Sequence, residues 1–308
     1  MNLRQRLVVP VVALLALTVF VAPGEAGSAT LPPEAYVFYE AATRGDTAMV
    51  ESMLADTPGL ALLKFKQGVT PLHAAALSDE PRTVELLLKR GAYVDARGGQ
   101  QRVTPLFLAV TKGHGRVAMA LLRRRADPNA SGRIQGEDGA EEVRPLHLAA
   151  IGGHTDIADE LIQRGAILTA QSSIGGTAAE YAKRHGSIPI ALMLDAYRRL
   201  GLVRGAPVAA LIRGIAAGDS ARVSALLDRH KSLATWVLEN QWTPLHLAAW
   251  QGSQPVCDAL LAHGADPHAV EAGTSWTPAF RAHDSGHTAL CEYLRRPDAA
   301  PPSRKGHR

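Results

Sequence analysis

Histidine is the first residue type in this chain that could do chemistry. The chain has twelve, and His73, His147 and His246 each follow the same Pro-Leu pair. Imidazole serves as a general base and as a metal ligand, but a metal site needs several ligands that converge on one point. The sequence contains no Cys-x-x-Cys pair, no Gly-x-Ser-x-Gly elbow and no Gly-rich phosphate loop. We therefore expect no enzyme, no cofactor and no metal site.

The two cysteines, Cys257 and Cys291, are the next candidates. Each stands at the same distance after a proline, Pro244 or Pro278, so the two occupy equivalent positions. Equivalent atoms of stacked helices lie about 8–10 Å apart, whereas a disulfide requires Cα atoms within about 7 Å. We expect buried free thiols that act as small hydrophobic groups.

Four carboxylates cluster in one short segment, at Glu137-Asp138 and Glu141-Glu142. The simplest interpretation is a solvated loop. A calcium site or a partner contact is the alternative, although calcium requires more ordered oxygen ligands than this spacing ensures.

A short sequence motif, called the phrase below, recurs along the chain and indicates which elements position the histidines, cysteines and carboxylates. It reads Thr70-Pro71-Leu72-His73, Thr104-Pro105-Leu106-Phe107, Arg144-Pro145-Leu146-His147 and Thr243-Pro244-Leu245-His246. The steps from Pro71 to Pro105 and from Pro244 to Pro278 are equal, so one unit is copied at a fixed period. The acidic cluster falls where the step from Pro105 to Pro145 is longer. A period this short indicates stacked repeats.

Segment 144–166 shows how one unit folds. Proline suits the first turn of a helix, Gly152-Gly153 would end that helix, and Ile157, Leu161 and Ile162 recur at helical spacing in a second one. Two helices this short cannot bury their apolar faces alone. They become stable when they stack against copies of themselves.

These residues resemble the ankyrin repeat family, whose pattern is a β-hairpin finger, Thr-Pro-Leu-His-x-Ala-Ala, a Gly-containing turn, an apolar second helix and a closing Gly-Ala. The resemblance is specific at 68–95, 102–130, 143–170 and 241–270. Counting the period outward adds degenerate copies with Val37, Ala178, Ala210 and Pro278 in the proline slot. It implies an all-α solenoid of about eight helix-turn-helix repeats with β-hairpin fingers. It also implies that the recurrent histidines are structural hydrogen-bonding groups.

The repeats divide into two groups. We assign repeats one to five to 32–200 and repeats six to eight to 206–296, because segments 45–73 and 218–246 share one register without a gap. The connecting segment 198–209 lacks hairpin signals. We expect a bend or a weak joint there.

The amino-terminal segment predicts a location outside the cytoplasm. Arg4 and Arg6, an apolar run and a small-residue site predict a signal peptide over 1–26, with a periplasmic or secreted mature protein. An uncleaved anchor is the alternative, but the run is short for a membrane span. Residues 297–308 predict a disordered basic tail. The small, scattered positive charge does not favour nucleic acid.

All four tryptophans lie late in the chain, and three carry the binding hypothesis. In the ankyrin pattern Trp242 and Trp276 stand on fingers and Trp250 on the exposed side of a first helix, and both places face the concave groove through which this family holds partners. The alternative for Trp242 and Trp276 is packing on the next finger. The resemblance implies a monomeric, non-catalytic scaffold that binds a protein at Trp242, Trp250, Trp276, Asn240 and Gln251. A secreted effector or toxin-associated protein that acts on another cell is the second interpretation.

Overall fold

Short helices joined in pairs build the first of two compact units, which ends at Ser187. The structure is a computed structural model that describes residue 31 and residues 33–136, 139–237 and 241–296. The helices of the first unit are α1 (Pro33–Arg44), α2 (Thr47–Asp56), α3 (Pro71–Ala76), α4 (Pro81–Lys89), α5 (Pro105–Lys112), α6 (Gly115–Arg123), α7 (Pro145–Gly152), α8 (Thr155–Gln163) and α9 (Ala178–Arg184). Short 3-10 helices cover Pro58–Leu62 and Lys66–Gly68.

Several sequence predictions fall outside the described residues. These are the signal peptide at 1–26, the basic tail at 297–308, the site residue Asn240, and Glu137 and Asp138 of the acidic cluster.

The recurrent phrase starts the first helix of each well-formed repeat. Before α5, Thr104 Oγ1 accepts a hydrogen bond from the Phe107 N–H at 3.2 Å, and Pro105 occupies the first turn, where its missing N–H costs nothing. The helix ends at Gly113, which has φ of 74° and therefore adopts the left-handed conformation that glycine allows. The phrase thus specifies both the start and the length of the helix.

Stacking between repeats buries the apolar faces. First helices contact first helices in the order α1, α3, α5, α7, α9, and second helices contact second helices in the order α2, α4, α6, α8. Small residues such as Ala74, Ala109 and Ala150 are fully buried between them. The core is therefore a continuous layer between helix rows.

The segment with the acidic cluster forms a β-hairpin. Strands β1 (Gly132–Gly136) and β2 (Gly139–Val143) pair antiparallel, with Ile134 opposite Glu141. The ring of Phe107 lies so close to Gly132 that a Cβ on this glycine would come within 2.9 Å of it, and Glu141 is only 5 % exposed. The expectation of a solvated loop is therefore wrong for Glu141, which lies on the inner face of the hairpin, whereas Glu142 is exposed.

The second unit begins at Ile188. Its helices are α10 (Ile188–Ala216), α11 (Ser220–Arg229), α12 (Pro244–Gln251), α13 (Gln254–Ala262), α14 (Pro278–Asp284) and α15 (Thr288–Leu294), with a 3-10 helix at Lys231–Thr235. Helix α10 contacts α11 and α12, and α12 contacts α14, so stacking follows the same rule as in the first unit.

Helix α10 spans the segment in which a joint was expected. Its backbone leaves helical geometry at Gly201, where φ is 73° and ψ is 174°, and it contains Pro207. The boundary between compact units lies before this helix, at Ser187 and Ile188, whereas the sequence assignment changes groups between 200 and 206. The kink therefore lies inside the second unit. The assignment of residues to repeats five and six stays a prediction.

The predicted fold class is confirmed. The described residues are mostly helical, with one short two-stranded sheet, and the helices alternate in the order that the repeat period predicts.

Candidate functional site

In three of the four repeats that carry the Pro-Leu phrase, one histidine connects the repeat to the finger of the next repeat. The Nδ1 atom of His73 accepts the Thr70 N–H at 3.1 Å, so the neutral ring carries its proton on Nε2, which donates to the Val103 carbonyl at 3.1 Å. Burial lowers the pKa of His73 to about 4. The structural role predicted for this histidine is confirmed.

The same connection positions the last finger. His246 accepts the Thr243 N–H at 3.2 Å and donates to the carbonyl of Trp276 at 3.1 Å. His147 does likewise, with the Gly176 carbonyl as acceptor at 3.1 Å. Burial lowers the pKa of both rings, so they stay neutral and keep these bonds. The backbone of Trp276 is thus fixed from the preceding repeat.

An arginine lies between the two finger tryptophans. The Cζ atom of Arg281, on α14, is 4.3 Å from the ring centre of Trp276 and 4.9 Å from that of Trp242. Phe280 packs on the outer side, with ring centres of Phe280 and Trp276 4.5 Å apart. A guanidinium over an aromatic face is attracted by the ring quadrupole. We name Trp242, Trp276, Phe280 and Arg281, with Glu271, the arginine cluster.

Glu271 fixes the orientation of the Arg281 guanidinium. Its carboxylate, 5 % exposed, accepts from Nε of Arg281 and from Nη2 at 2.6 Å, and Thr274 Oγ1 also donates to it at 3.2 Å. The backbone N–H of Glu271 donates to the Trp276 carbonyl at 3.0 Å. A two-point bond between a buried carboxylate and a guanidinium is directional, so the cluster is rigid.

The predicted site residues differ in exposure. Trp276 is half-buried, and the neighbouring Phe280 is 37 % exposed. Trp242 was expected to face a partner, but it is buried with 9 % exposure, because Arg281 covers one part of its ring and His246 stacks at 6.3 Å. Packing on the next repeat is therefore the better description of Trp242.

Trp250 and Gln251 lie at the end of α12. Trp250 is half-buried and Gln251 is exposed. Within the described residues, no ring contact joins Trp250 to Trp242 or Trp276. The structure thus brings together two of the three predicted tryptophans, and it does so through Arg281.

Sequence reasoning missed Arg281, Glu271 and Phe280. The signal was present: the position three residues after the repeat proline holds Arg281, where the other repeats have buried apolar residues, namely Ala74, Leu108, Leu148 and Leu247. A cation in such a position requires a buried partner. Phe280 likewise stands in the histidine position of its repeat.

The histidines and cysteines of the described residues were the candidates for metal binding and thiol chemistry. His283 and His287 have the four-residue spacing of helical metal ligands, but no group of three or more His, Cys, Asp or Glu side chains there could hold an ion. Cys257 and Cys291 are buried free thiols, and burial raises the pKa of Cys257 to about 12. Among the described helices, none has the length and apolar character that crossing a membrane requires.

The fold and the histidine connections define a stacked helical-repeat protein. Family models for ankyrin repeats match residues 38–132, as three copies, and residues 144–173 and 240–272. The chain therefore belongs to the ankyrin repeat family, and its repeats form a protein-interaction module.

Curated relatives share only a repeat segment with this chain. A putative palmitoyltransferase ZDHHC13 from Danio rerio and the palmitoyltransferase ZDHHC17 from Homo sapiens are each 38 % identical over 64 residues, which is 21 % of this chain and 10 % of each relative. The palmitoyltransferase ZDHHC13 from Mus musculus is 35 % identical over 63 residues. The chain thus spans about a tenth of the length of the curated relatives it matches.

Proposed function

We propose that this chain is a non-catalytic binding module, outside the cytoplasm, that holds a protein partner on the arginine cluster of its second unit. One observation carries the proposal. The tilted rings of Trp276 and Phe280 are in contact and partly exposed, and Arg281, which Glu271 holds, lies over the ring of Trp276.

Such a surface has the properties of a binding hot spot. Tryptophan is enriched among residues whose truncation costs most binding energy, and hot spots gain from the exclusion of water around a large ring. Rigid support also reduces the conformational entropy that the side chains lose on binding. Because Trp276 is held at its backbone by His246 and at its ring by Arg281, little order is lost when a partner arrives.

Capture of partners by alanine variants tests the binding surface. The full chain is used to capture proteins from an envelope fraction, and the bound proteins are quantified by mass spectrometry. We expect Trp276→Ala to weaken capture, by about 2 kcal/mol or roughly thirtyfold for a true hot spot, and a matching loss in Trp250→Ala would extend the surface beyond the cluster to the end of α12. Trp236→Ala is the matched control, because Trp236 is a half-buried tryptophan of the same unit outside the arginine cluster.

Melting temperature separates binding from folding. If a Trp250→Ala or Trp276→Ala variant unfolds and its remaining folded fraction binds as well as the parent, that tryptophan belongs to the core. Equal loss of capture in the Trp236→Ala control would show a general effect of aromatic removal, and would refute the surface.

The proposal includes the absence of catalysis in the whole chain. The relatives named above are palmitoyltransferases, but the shared segment is a tenth of their length. Thiol chemistry needs an accessible thiolate, and the buried Cys257, with its raised pKa, provides none. Incubation of the full chain with labelled palmitoyl-coenzyme A should leave no label on either cysteine. Label at Cys257 or Cys291 would contradict this part of the proposal.

Location outside the cytoplasm is supported by the sequence of residues 1–26. Mass spectrometry of the mature protein should find an amino terminus near Gly27 or Thr30, and sedimentation should show a monomer. Intact Met1 on a cytoplasmic protein would refute this location. A secreted effector that acts on another cell is the second candidate, and recovery from culture medium rather than from the periplasm would favour it.

A further inference from the structure

The first two fingers of the first unit carry charge of one sign. Segments 63–69 and 97–103 contain Lys64, Lys66, Arg97 and Arg102, and neither segment contains Asp or Glu. All four side chains are exposed. We name these four residues the basic finger edge.

The two fingers are in direct contact, so the four cations form one surface. The Gly99 N–H donates to the Gln67 carbonyl at 3.1 Å. A Cβ on Gly68 would come within 2.8 Å of the Arg97 carbonyl oxygen, which leaves no room for any residue but glycine between the fingers. The surface that the two fingers share is therefore positively charged, and it attracts an anionic ligand.

Asp95 attracts Arg97 electrostatically, but among the described residues no carboxylate forms an ion pair with any of the four cations. Asp95 lies nearest in sequence, and its carboxylate accepts the Asp127 N–H at 3.0 Å. The third finger, over 132–143, carries Arg133 and four acidic residues, so its net charge is negative and the basic surface ends there. Lys64 and Lys66 make no side-chain hydrogen bond or ion pair to the described residues.

The second finger is pre-arranged. The Arg97 Nη1 atom donates to the Ser131 carbonyl at 2.9 Å, which holds the side chain against the third finger. Arg102 has φ of 52°, a conformation that costs energy for any residue but glycine. A guanidinium held in place loses less entropy when it binds a carboxylate at two points.

We propose that the basic finger edge binds an extended acidic segment of a protein partner. A protein is favoured over a nucleic acid because the chain belongs to a family of protein-interaction modules. Stacked repeats lie about 10 Å apart, and an extended chain advances about 3.3 Å per residue, so the fit is best for carboxylates at every third residue. This surface lies in the first unit and is independent of the arginine cluster, so either proposal can fail without the other.

Fluorescence anisotropy with synthetic peptides tests the proposal on the full chain. The probe is a short labelled peptide with Glu at every third position. One control peptide has the same composition with its Glu residues at one end, and another has Gln in place of Glu. We expect the regularly spaced peptide to bind tightest at low ionic strength and to weaken as salt is added.

Charge reversal locates the bound peptide. Arg97→Glu/Arg102→Glu should weaken binding by about tenfold or more, because it replaces attraction by repulsion. The control variant Arg123→Glu/Arg124→Glu changes the net charge by the same amount, at exposed positions at the end of α6. It should weaken binding less than about twofold. Because Arg97 bonds to Ser131, Lys64→Glu/Lys66→Glu provides a second test that removes no bond to the described residues. A peptide with Lys at every third position should bind the Arg97→Glu/Arg102→Glu variant better than it binds the parent.

Three results would overturn the proposal. One is absence of peptide binding by the parent at low ionic strength, and another is equal weakening by the finger and α6 variants, which would show attraction to net charge alone. The third is tighter binding of a single-stranded oligonucleotide than of the peptide, lost in the same finger variants, which would assign the surface to nucleic acid.

Discussion

The guanidinium of Arg281 lies 4.3 Å from the ring centre of Trp276 while Glu271 holds it by two bonds. This relationship joins the finger of the last repeat to its first helix. A cation whose carboxylate partner is 5 % exposed is costly to bury, and the cost is offset only while both partners are present.

Removal of Arg281 should therefore destabilise the second unit strongly. We expect Arg281→Met to lower the free energy of unfolding by about 3 kcal/mol or more, because Glu271 would be left buried and unpaired. Urea denaturation followed by Trp fluorescence measures this change, since two of the affected residues are tryptophans.

The paired variant Arg281→Met/Glu271→Leu is the control. It removes both charges, so it should lose about 1 kcal/mol or less relative to the parent, and the difference from the single variant measures the coupling. If the single and paired variants were equally unstable, the stacking of Arg281 on the tryptophans would dominate over its ion pair.

Two glycines of the second unit have left-handed backbone conformations, and they allow the cost of backbone strain to be separated from the cost of a steric clash with a neighbouring side chain. Gly252 (φ 79°) and Gly264 (φ 89°) both end helices, but a Cβ on Gly252 would lie 2.4 Å from His287 Cε1, whereas a Cβ on Gly264 would meet nothing within 4 Å. Gly264→Ala should cost about 1 kcal/mol of unfolding free energy from the backbone alone. Gly252→Ala should cost about 1–3 kcal/mol more, because the ring must move.

Thermal melting of both variants gives the comparison. In the variant Gly252→Ala/His287→Ala the extra cost of the Gly252 substitution should disappear, since the obstructing ring is gone. Equal costs at the two glycines would show that the His287 ring moves away freely.

The repeat positions of the fold could be predicted because they depend on local rules. Thr104 and Pro105 start a helix, Gly113 ends it, and the period places the next copy, so no long-range contact has to be known. The structural role of His73 followed from the same pattern. The arginine cluster could not be found in this way, because Glu271 and Arg281 meet only when the last finger folds onto helix α14, and Trp242 joins them from the preceding finger.

Two deviations from the repeat pattern also show that local sequence rules do not predict contacts between elements. The acidic insertion was expected to be a solvated loop, yet the backbone pairing of Ile134 with Glu141 gives it an inner face that packs on Phe107. The sequence predicts a bend or a weak joint over 198–209, and helical geometry does break there, but only the structure shows that the break lies at Gly201.

Hydrogen exchange should show where the cooperative units divide. The buried Leu260 of the second unit and Leu161 of the first are matched sites with no exposed surface. Leu260→Ala should lower the free energy of exchange by about 3 kcal/mol across 188–294, including the first half of α10, and by less in 33–187. Leu161→Ala should do the reverse. Uniform loss of protection along the chain in either variant would show that the two units open together.

Stability should fall in acid through the three connecting histidines. Burial lowers the pKa of His73 to about 4, from its ordinary 6.5, and lowers those of His147 and His246. Between the folded and the unfolded pKa the unfolded chain binds more protons, so stability rises with pH in that window. The contribution is complete above about pH 6.5 and is lost as pH falls toward 4, by about 3 kcal/mol for His73 alone.

His263 acts in the opposite direction and at higher pH. Its Nδ1 atom donates to the Ala259 carbonyl at 2.7 Å and its Nε2 atom to Asp228 at 3.1 Å, and these bonds raise its pKa. The stabilisation that this ring gives is complete below pH 6.5 and is lost as pH rises through the raised pKa. The two effects therefore fall on opposite sides of pH 6.5.

Urea denaturation at a series of pH values tests both histidine effects with matched variants. In His73→Gln the amide can still accept from Thr70 and donate to Val103 but cannot take a proton, so the slope of unfolding free energy between pH 6.5 and 4 should be smaller than in the parent. His263→Gln should leave that slope unchanged and should alter only the slope above pH 6.5, because its titration occurs there. If His73→Gln and the parent lost stability at the same rate in acid, protonation of carboxylates rather than of the connecting histidine would drive acid unfolding.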